Sequence, residues 1–153
     1  MTKLDLSLSP EEVEDYLTTQ RTVRLSTVGP DGFPHAIPLW FVWLEATVFM
    51  NSTLGNITMR NLGHDPRATG CVDDGTAYEE LRGVLVHGRV ETANDDPRIP
   101  YVEHVWSEKY LAGNPVPFSS WRRRTWLRLR PERITSWDFR KIDQARARRA
   151  AGG

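Results

Sequence analysis

The stretch of this 153-residue chain with the most binding chemistry is Phe49-Met50-Asn51-Ser52-Thr53-Leu54-Gly55-Asn56-Ile57-Thr58-Met59-Arg60-Asn61-Leu62. A strand-like run ends in small hydroxyl and amide residues, turns through a glycine and enters a helical pattern. A helix N-terminus offers free N–H groups and the positive end of a dipole, which suits a phosphate. Ser52, Thr53, Asn56 and Thr58 can add neutral hydrogen bonds, and Arg60 can add charge. The same residue types also serve simply to cap helices. On the residues alone the two readings stand level.

Other candidate groups are scattered. His35, His64, His87 and His104 never fall four apart on a predicted helix, so no metal site is expected from them. Asp73-Asp74 borders a turn glycine and reads as a loop rather than an acid–base pair. The chain lacks Gly-x-Ser-x-Gly, His-Glu-x-x-His, a Walker loop and Gly-x-Gly-x-x-Gly. One cysteine, Cys71, excludes an internal disulfide.

Lys plus Arg and Asp plus Glu each number 20, which argues against a nucleic-acid binder. The balance conceals an asymmetry: residues 121–153 carry eleven basic and three acidic side chains. This is either an anion-binding strand and tail or an arginine coat on a solvated strand. The longest apolar run, 37–44, is too short to cross a membrane, and no signal peptide is visible at the start. A soluble cytoplasmic protein with no membrane partner is expected.

The elements that must position these groups are short. Ser9-Pro10-Glu11-Glu12 predicts a capped helix with a capping box, burying Val13, Tyr16 and Leu17. Strands are predicted over 21–28, 35–44 and 46–52, joined by turns at 29–32 and Glu45-Ala46. Pro38, lacking an N–H, belongs at an edge or bulge. A short helix over 56–64 ends before Asp65-Pro66. Strands follow at 67–73 and 82–92. Asp96-Pro97 opens a helix carrying Val102, Val105, Trp106, Lys109 and Tyr110. Two last strands, 125–129 and 134–139, are joined through Arg130-Pro131-Glu132-Arg133. Antiparallel hairpins with few helices predict a mainly β (α+β) fold, a six- or seven-stranded antiparallel barrel with peripheral helices. Residues 1–140 form the single domain, and 141–153 a basic tail, a frayed helix or disordered.

The chain resembles the pyridoxamine-phosphate-oxidase-like split barrels, the flavin and deazaflavin oxidoreductase superfamily, in its actinobacterial branch linked to coenzyme F420. The resemblance rests on Thr22-Val23-Arg24-Leu25-Ser26-Thr27-Val28-Gly29-Pro30-Asp31-Gly32-Phe33-Pro34-His35, Pro38-Leu39-Trp40-Phe41-Val42-Trp43 and Arg60-Asn61-Leu62-Gly63-His64-Asp65-Pro66-Arg67. Val86-His87-Gly88-Arg89-Val90-Glu91, Leu129-Arg130-Pro131-Glu132-Arg133-Ile134 and Ser136-Trp137-Asp138-Phe139 complete it.

The resemblance implies a split β-barrel homodimer with cofactor sites at the dimer interface. It sets the cofactor phosphate against Asn51, Ser52, Thr53 and the following helix start, with Asn56, Thr58 and Arg60 at hand. It sets the tricyclic ring near Pro38 and Trp40, though Trp40 and Trp43 fit a core or an interface equally. The family usually has basic residues where this chain has Asn56 and Thr58. Arg60 remains, and Trp121-Arg122-Arg123-Arg124 is a second candidate anchor, from this chain or a partner. The implied activity is F420-dependent hydride transfer to a small reducible organic substrate. The alternatives are an FMN-dependent oxidase or reductase and a non-catalytic flavin- or haem-binding barrel. No catalytic acid or base is assigned; His35 and His87 are the titratable candidates, with a structural role favoured.

Overall fold

The computed structural model describes residues 3–117, 120 and 123–153. It comprises α1 (Pro10–Thr19), β1 (Val23–Val28), β2 (Pro34–Leu39), β3 (Phe41–Leu44), β4 (Thr47–Thr53), α2 (Ile57–His64) and β5 (Arg67–Asp74). β6 (Arg82–Thr92), α3 (Ile99–Tyr110), β7 (Arg124–Asp138) and α4 (Ile142–Ala151) follow, with single 3-10 turns before β6 and α4. The fold is mainly β, with seven antiparallel strands ordered β2-β1-β5-β6-β7-β4-β3 among the described residues.

That order dictates the shape. β2 and β3 are the two edges of the sheet, yet only Trp40 separates them in the chain. A sheet whose edges are joined by one residue must curl until they meet, and strand twist provides the curl. The inward face carries Val23, Leu25, Phe41, Val48, Met50, Val72, Val84, Val86, Leu127 and Leu129, all essentially buried. α1 covers one end with Val13, Tyr16 and Leu17. On the outside, α3 lays Val102 and Trp106 over Val42, Phe49 and Trp126 in a second core.

Sequence and structure part at four places. Asp73-Asp74, expected in a loop, is the end of β5, because both residues pair with β6, at Gly83 and Arg82. The predicted strand over 35–44 is broken at Trp40, because the chain passes there from one sheet edge to the other. The last two predicted strands are one, β7. It pairs with β6 from Arg82↔Asp138 to Thr92↔Leu127, and the supposed turn is a bulge: His87 faces Arg133, Gly88 faces Pro131, and Glu132 is passed over. A proline and an extra residue are both tolerated at a bulge. A Cβ on Gly88 would collide with the Arg130 carbonyl, so the bulge needs a glycine. Finally, Ser9 caps α1 through the Glu12 N–H at 3.2 Å, but the Glu12 carboxylate turns to Lys141 Nζ at 2.6 Å. Elsewhere the patterns hold: Pro38 lies on an edge strand, Gly32 is left-handed, and Glu45-Ala46 closes a two-residue hairpin with both residues at positive φ. The basic tail forms α4, with no buried residue.

α3 clasps the seam between the edges. The Tyr110 hydroxyl accepts from the Phe41 N–H at 3.0 Å, and its proton has two acceptors at 2.8 Å, Phe41 O and Arg21 O. Lys109 Nζ donates to Phe41 O at 3.2 Å and lies 4.3 Å from the Phe41 ring centre. Tyr110→Phe should therefore lower stability by about 1–3 kcal/mol, since it strips a buried amide of its acceptor; urea denaturation measures this.

Burial, with Arg21 nearby, lowers the Lys109 pKa from 10.5 to about 8. Below pH 8 the ammonium is charged in both states, and the fold bears its desolvation. Between pH 8 and 10.5 the unfolded chain binds more protons, so stability gains with pH. Denaturation across pH should show the wild type gaining on Lys109→Met from pH 8 to 10.5 and staying level below pH 7.

Candidate functional site

The turn from β4 into α2 is built by side chains that cap and by a glycine. Gly55 adopts φ +82, which permits the tight reversal. Asn56 is the N-cap: its Oδ1 accepts from the Met59 N–H at 2.9 Å, and its Nδ2 donates to Ser52 Oγ at 3.1 Å. Asn61 Nδ2 donates to Thr27 Oγ1 at 3.1 Å, tying α2 to β1. Capping thus accounts for Ser52 and Asn56.

It does not account for the rest. Thr58, in the first turn of α2, is 1% exposed, and Asn51, near the end of β4, is 6% exposed. Thr58 Oγ1 and Asn51 Oδ1 are buried without a hydrogen-bond partner among the described residues, as is Trp106 Nε1 on α3. Buried polar atoms are rarely left so, because each costs about 1–3 kcal/mol. Thr53 is half-buried and Arg60 is exposed. The structure thus brings Asn51, Ser52, Thr53, Asn56, Thr58 and Arg60 to one turn.

Pro38 and Trp40 lie at the seam. Pro38 pairs with Arg24 on the β2 edge. Trp40 is 44% exposed and stacks on Tyr110, with ring centres 4.5 Å apart and planes at 7°. Trp106 approaches Trp40 at 6.1 Å and Trp126 edge-on at 5.1 Å. Asn51 faces Trp126 across the β4–β7 ladder, so this aromatic cluster and the β4–α2 turn adjoin. Trp43 is buried in the barrel core, its Nε1 donating to Glu14 at 2.7 Å.

Sequence reasoning placed no specific residue opposite Gly55. Of the run 121–124, Trp121 and Arg122 lie outside the described residues. Thr53 pairs with Arg124, and the Leu54 N–H donates to Arg123 O at 2.7 Å, so Arg123 and Arg124 reach the turn from the same chain. A Cβ on Gly55 would sit 3.2 Å from Arg123 Nη2. The available signal was charge: residues 46–64 and 109–131 contain no Asp or Glu.

The remaining candidates serve the scaffold. Asp73 pairs with Arg24, and Asp74 holds Arg82 Nε at 2.7 Å and accepts from the Tyr16 hydroxyl at 2.8 Å. His87 Nδ1 lies 3.0 Å from Thr69 Oγ1 in a cleft of about 400 Å³ on the outward sheet face. His35 is half-buried on β2, and His64 and His104 are exposed. Among the described residues no three His, Cys, Asp or Glu side chains group to hold a metal, and no helix is long and apolar enough to cross a membrane.

The family model described as pyridoxamine 5'-phosphate oxidase matches residues 9–138. Among solved structures, a conserved hypothetical protein from Mycobacterium tuberculosis is similar at 27% identity and TM-score 0.81, over 94% of this chain and 92% of that one. A protein titled F420 reductase is similar at 25% identity and TM-score 0.65, over 82% and 98%. A FAD-binding protein from Mesorhizobium loti shares the fold, at 23% identity and TM-score 0.67, over 85% and 94%. No curated protein matches the chain.

An unpartnered hydroxyl gives nothing to the ligand-free fold. Thr58→Val, which keeps the shape, should leave stability unchanged or raise it. Asn61→Ala, which breaks the bond to Thr27, should cost about 1–3 kcal/mol. Urea titration of both variants without ligand checks the contrast, and an equal loss from Thr58→Val would mean that its hydroxyl is already bonded.

Proposed function

The chain belongs to the pyridoxamine 5'-phosphate oxidase family, and on that premise we propose that it is a deazaflavin-dependent oxidoreductase that uses coenzyme F420 to reduce a small organic molecule. The observation that carries the reading is the pair of buried, unpartnered atoms, Thr58 Oγ1 and Asn51 Oδ1, on the two elements flanking the β4–α2 turn. They fit a ligand with both acceptors and donors: the threonine hydroxyl can donate to a phosphate oxygen, while the asparagine carbonyl can only accept. Similarity to a protein titled F420 reductase supports the deazaflavin over FMN.

The bound cofactor would supply the hydride. The protein's part is to hold and shield. The N–H groups of Ile57 and Thr58, which the cap leaves free, would meet the phosphate, the Thr58 hydroxyl lies in the same turn, and Arg60 adds charge from the helix surface. The exposed Trp40 and Pro38, at the seam, offer an apolar wall for the ring, in keeping with the preference of aromatic rings for offset stacking.

The active form in this proposal is a homodimer. Among the described residues the main helix-to-sheet packing is of α1 and α3 on β3 and of α2 on β1 and β4. Across β1, β5 and β6 the outward side chains include Ser26, Thr69, Cys71, Leu85 and His87, all half-buried. Cys71, Leu85 and small hydroxyl side chains rimmed by the exposed Arg24, Arg67, Asp73 and Arg89 suit the apolar centre and polar rim of an interface with a second copy.

The spectrum of the purified protein, followed by fluorescence titration with F420 and with FMN, tests the reading; light scattering should report a dimer. Tight binding of F420 is the expected result. Binding of FMN alone would move the chain to the FMN-dependent oxidases and reductases. A haem Soret band, or no uptake of either cofactor, would sink the oxidoreductase assignment and leave a non-catalytic barrel.

A further inference from the structure

We propose that Arg123 is the anion anchor of the β4–α2 turn, gripping the cofactor phosphate from β7's side, where α2 has no basic residue before Arg60. The inference rests on the reading that the turn takes a phosphorylated flavin-type cofactor, and it names the residue that would give the site its charge.

Four observations converge. First, the backbone of Arg123 is fixed at the turn, since its carbonyl accepts from the Leu54 N–H at 2.7 Å and its neighbour Arg124 pairs with Thr53. Second, its side chain reaches over Gly55. A Cβ there would lie 3.2 Å from Nη2, so the glycine leaves room for the guanidinium next to the N-cap of α2. Third, Arg123 holds φ 65, a left-handed conformation that is uncommon for a side chain of this size. Such strain persists where the surroundings impose it. Fourth, no carboxylate meets Arg123 among the described residues.

The ligand itself is signalled by the hydroxyl of Thr58, buried and unpartnered in the first turn of α2. A guanidinium and a hydroxyl both donate, and a phosphate only accepts, so the two are complementary to one anion. Arg123 and Arg60 are both exposed; Arg60 lies three residues past Ile57 along α2, whereas Arg123 Nη2 stands over Gly55, directly before the N-cap. Arginine also presents a planar fork that lysine lacks, which suits the paired oxygens of a phosphate.

The test compares each cofactor with its phosphate-free counterpart: FMN with riboflavin, and F420 with the deazaflavin stripped of its phosphate tail. Arg123→Asn removes the charge while keeping a residue that tolerates left-handed backbone. It should weaken the phosphorylated form at least tenfold and its counterpart less than twofold. Arg123→Lys should retain part of the preference, and Arg60→Ala most of it. Matching thermal midpoints show that the variants are folded. If the wild type prefers the phosphorylated form and Arg123→Asn keeps that preference in full, the anchor lies elsewhere and the cofactor assignment survives. If the wild type takes up no flavin or deazaflavin, the cofactor assignment falls, and inorganic phosphate decides the anchor by nuclear magnetic resonance. Shifts of the Leu54, Gly55 and Asn56 amides that vanish in Arg123→Asn would support it, and their absence in the wild type would overturn it.

Discussion

The sheet has two edges, and one residue joins them. Because β2 and β3 are consecutive in the chain but outermost in the sheet, the curl of the barrel is a covalent requirement before it is a packing preference. Everything inside follows from that closure. Edge strands otherwise expose unpaired N–H and C=O groups; here the two edges run into one another at Trp40, and α3 packs on the β3 side of that join. The Tyr110 hydroxyl and the Lys109 ammonium serve the backbone of Phe41 where the ladder changes partners. A lysine whose charge is disfavoured by burial is an odd choice for a clasp, but its aliphatic stem also covers Phe41, and its head still donates when neutral.

The candidate site depends on the same closure at one remove. β4 lies between β3 and β7, and its last residues leave the sheet just as β7 enters it. Antiparallel pairing therefore delivers the start of β7 to the end of β4, whatever the intervening 70 residues do. This places basic residues distant in sequence beside a turn that has none of its own before Arg60. The glycine at 55 serves both needs, since it permits the reversal and makes room for Arg123. A site built this way can lose a cation from one element and hold charge from another without altering the fold.

Much of this was legible in the sequence, because local chemistry decides it. Ser9-Pro10 starts α1, Asn56 caps α2, Gly32 turns the first hairpin and Pro38 avoids the sheet interior, each for a reason contained within a few residues. What escaped was decided at a distance. Nothing local marks Trp40 as the crossing between edges, since the apolar run continues through it. Pro131 reads as a turn former until β6 supplies a bulged partner at Gly88. The fate of Glu12, drawn to Lys141 across the molecule, is a tertiary contact overriding a good local motif. At the site, the residue types pointed to the turn, but only the register of β4 on β7 could bring Arg123 and Arg124 to it, and only the fold sets the Arg123 guanidinium over Gly55.

The β4–β7 ladder also shapes the order of events during synthesis. The β1–β2 and β3–β4 hairpins can form as soon as they are made, but β4's second neighbour, from Arg124 to Leu129, follows about 70–80 residues later. At the usual elongation speed of roughly 5–20 residues per second, the free side of β4 waits about 4–16 seconds for its partner. During that wait the strand presents Val48, Phe49 and Met50 beside unpaired amides, the pattern most prone to pairing with a neighbouring nascent chain. Barrel closure is in this sense a late, long-range step, and the growing chain's vulnerability to aggregation is concentrated in the strand that later carries Asn51, Ser52 and Thr53 to the candidate site.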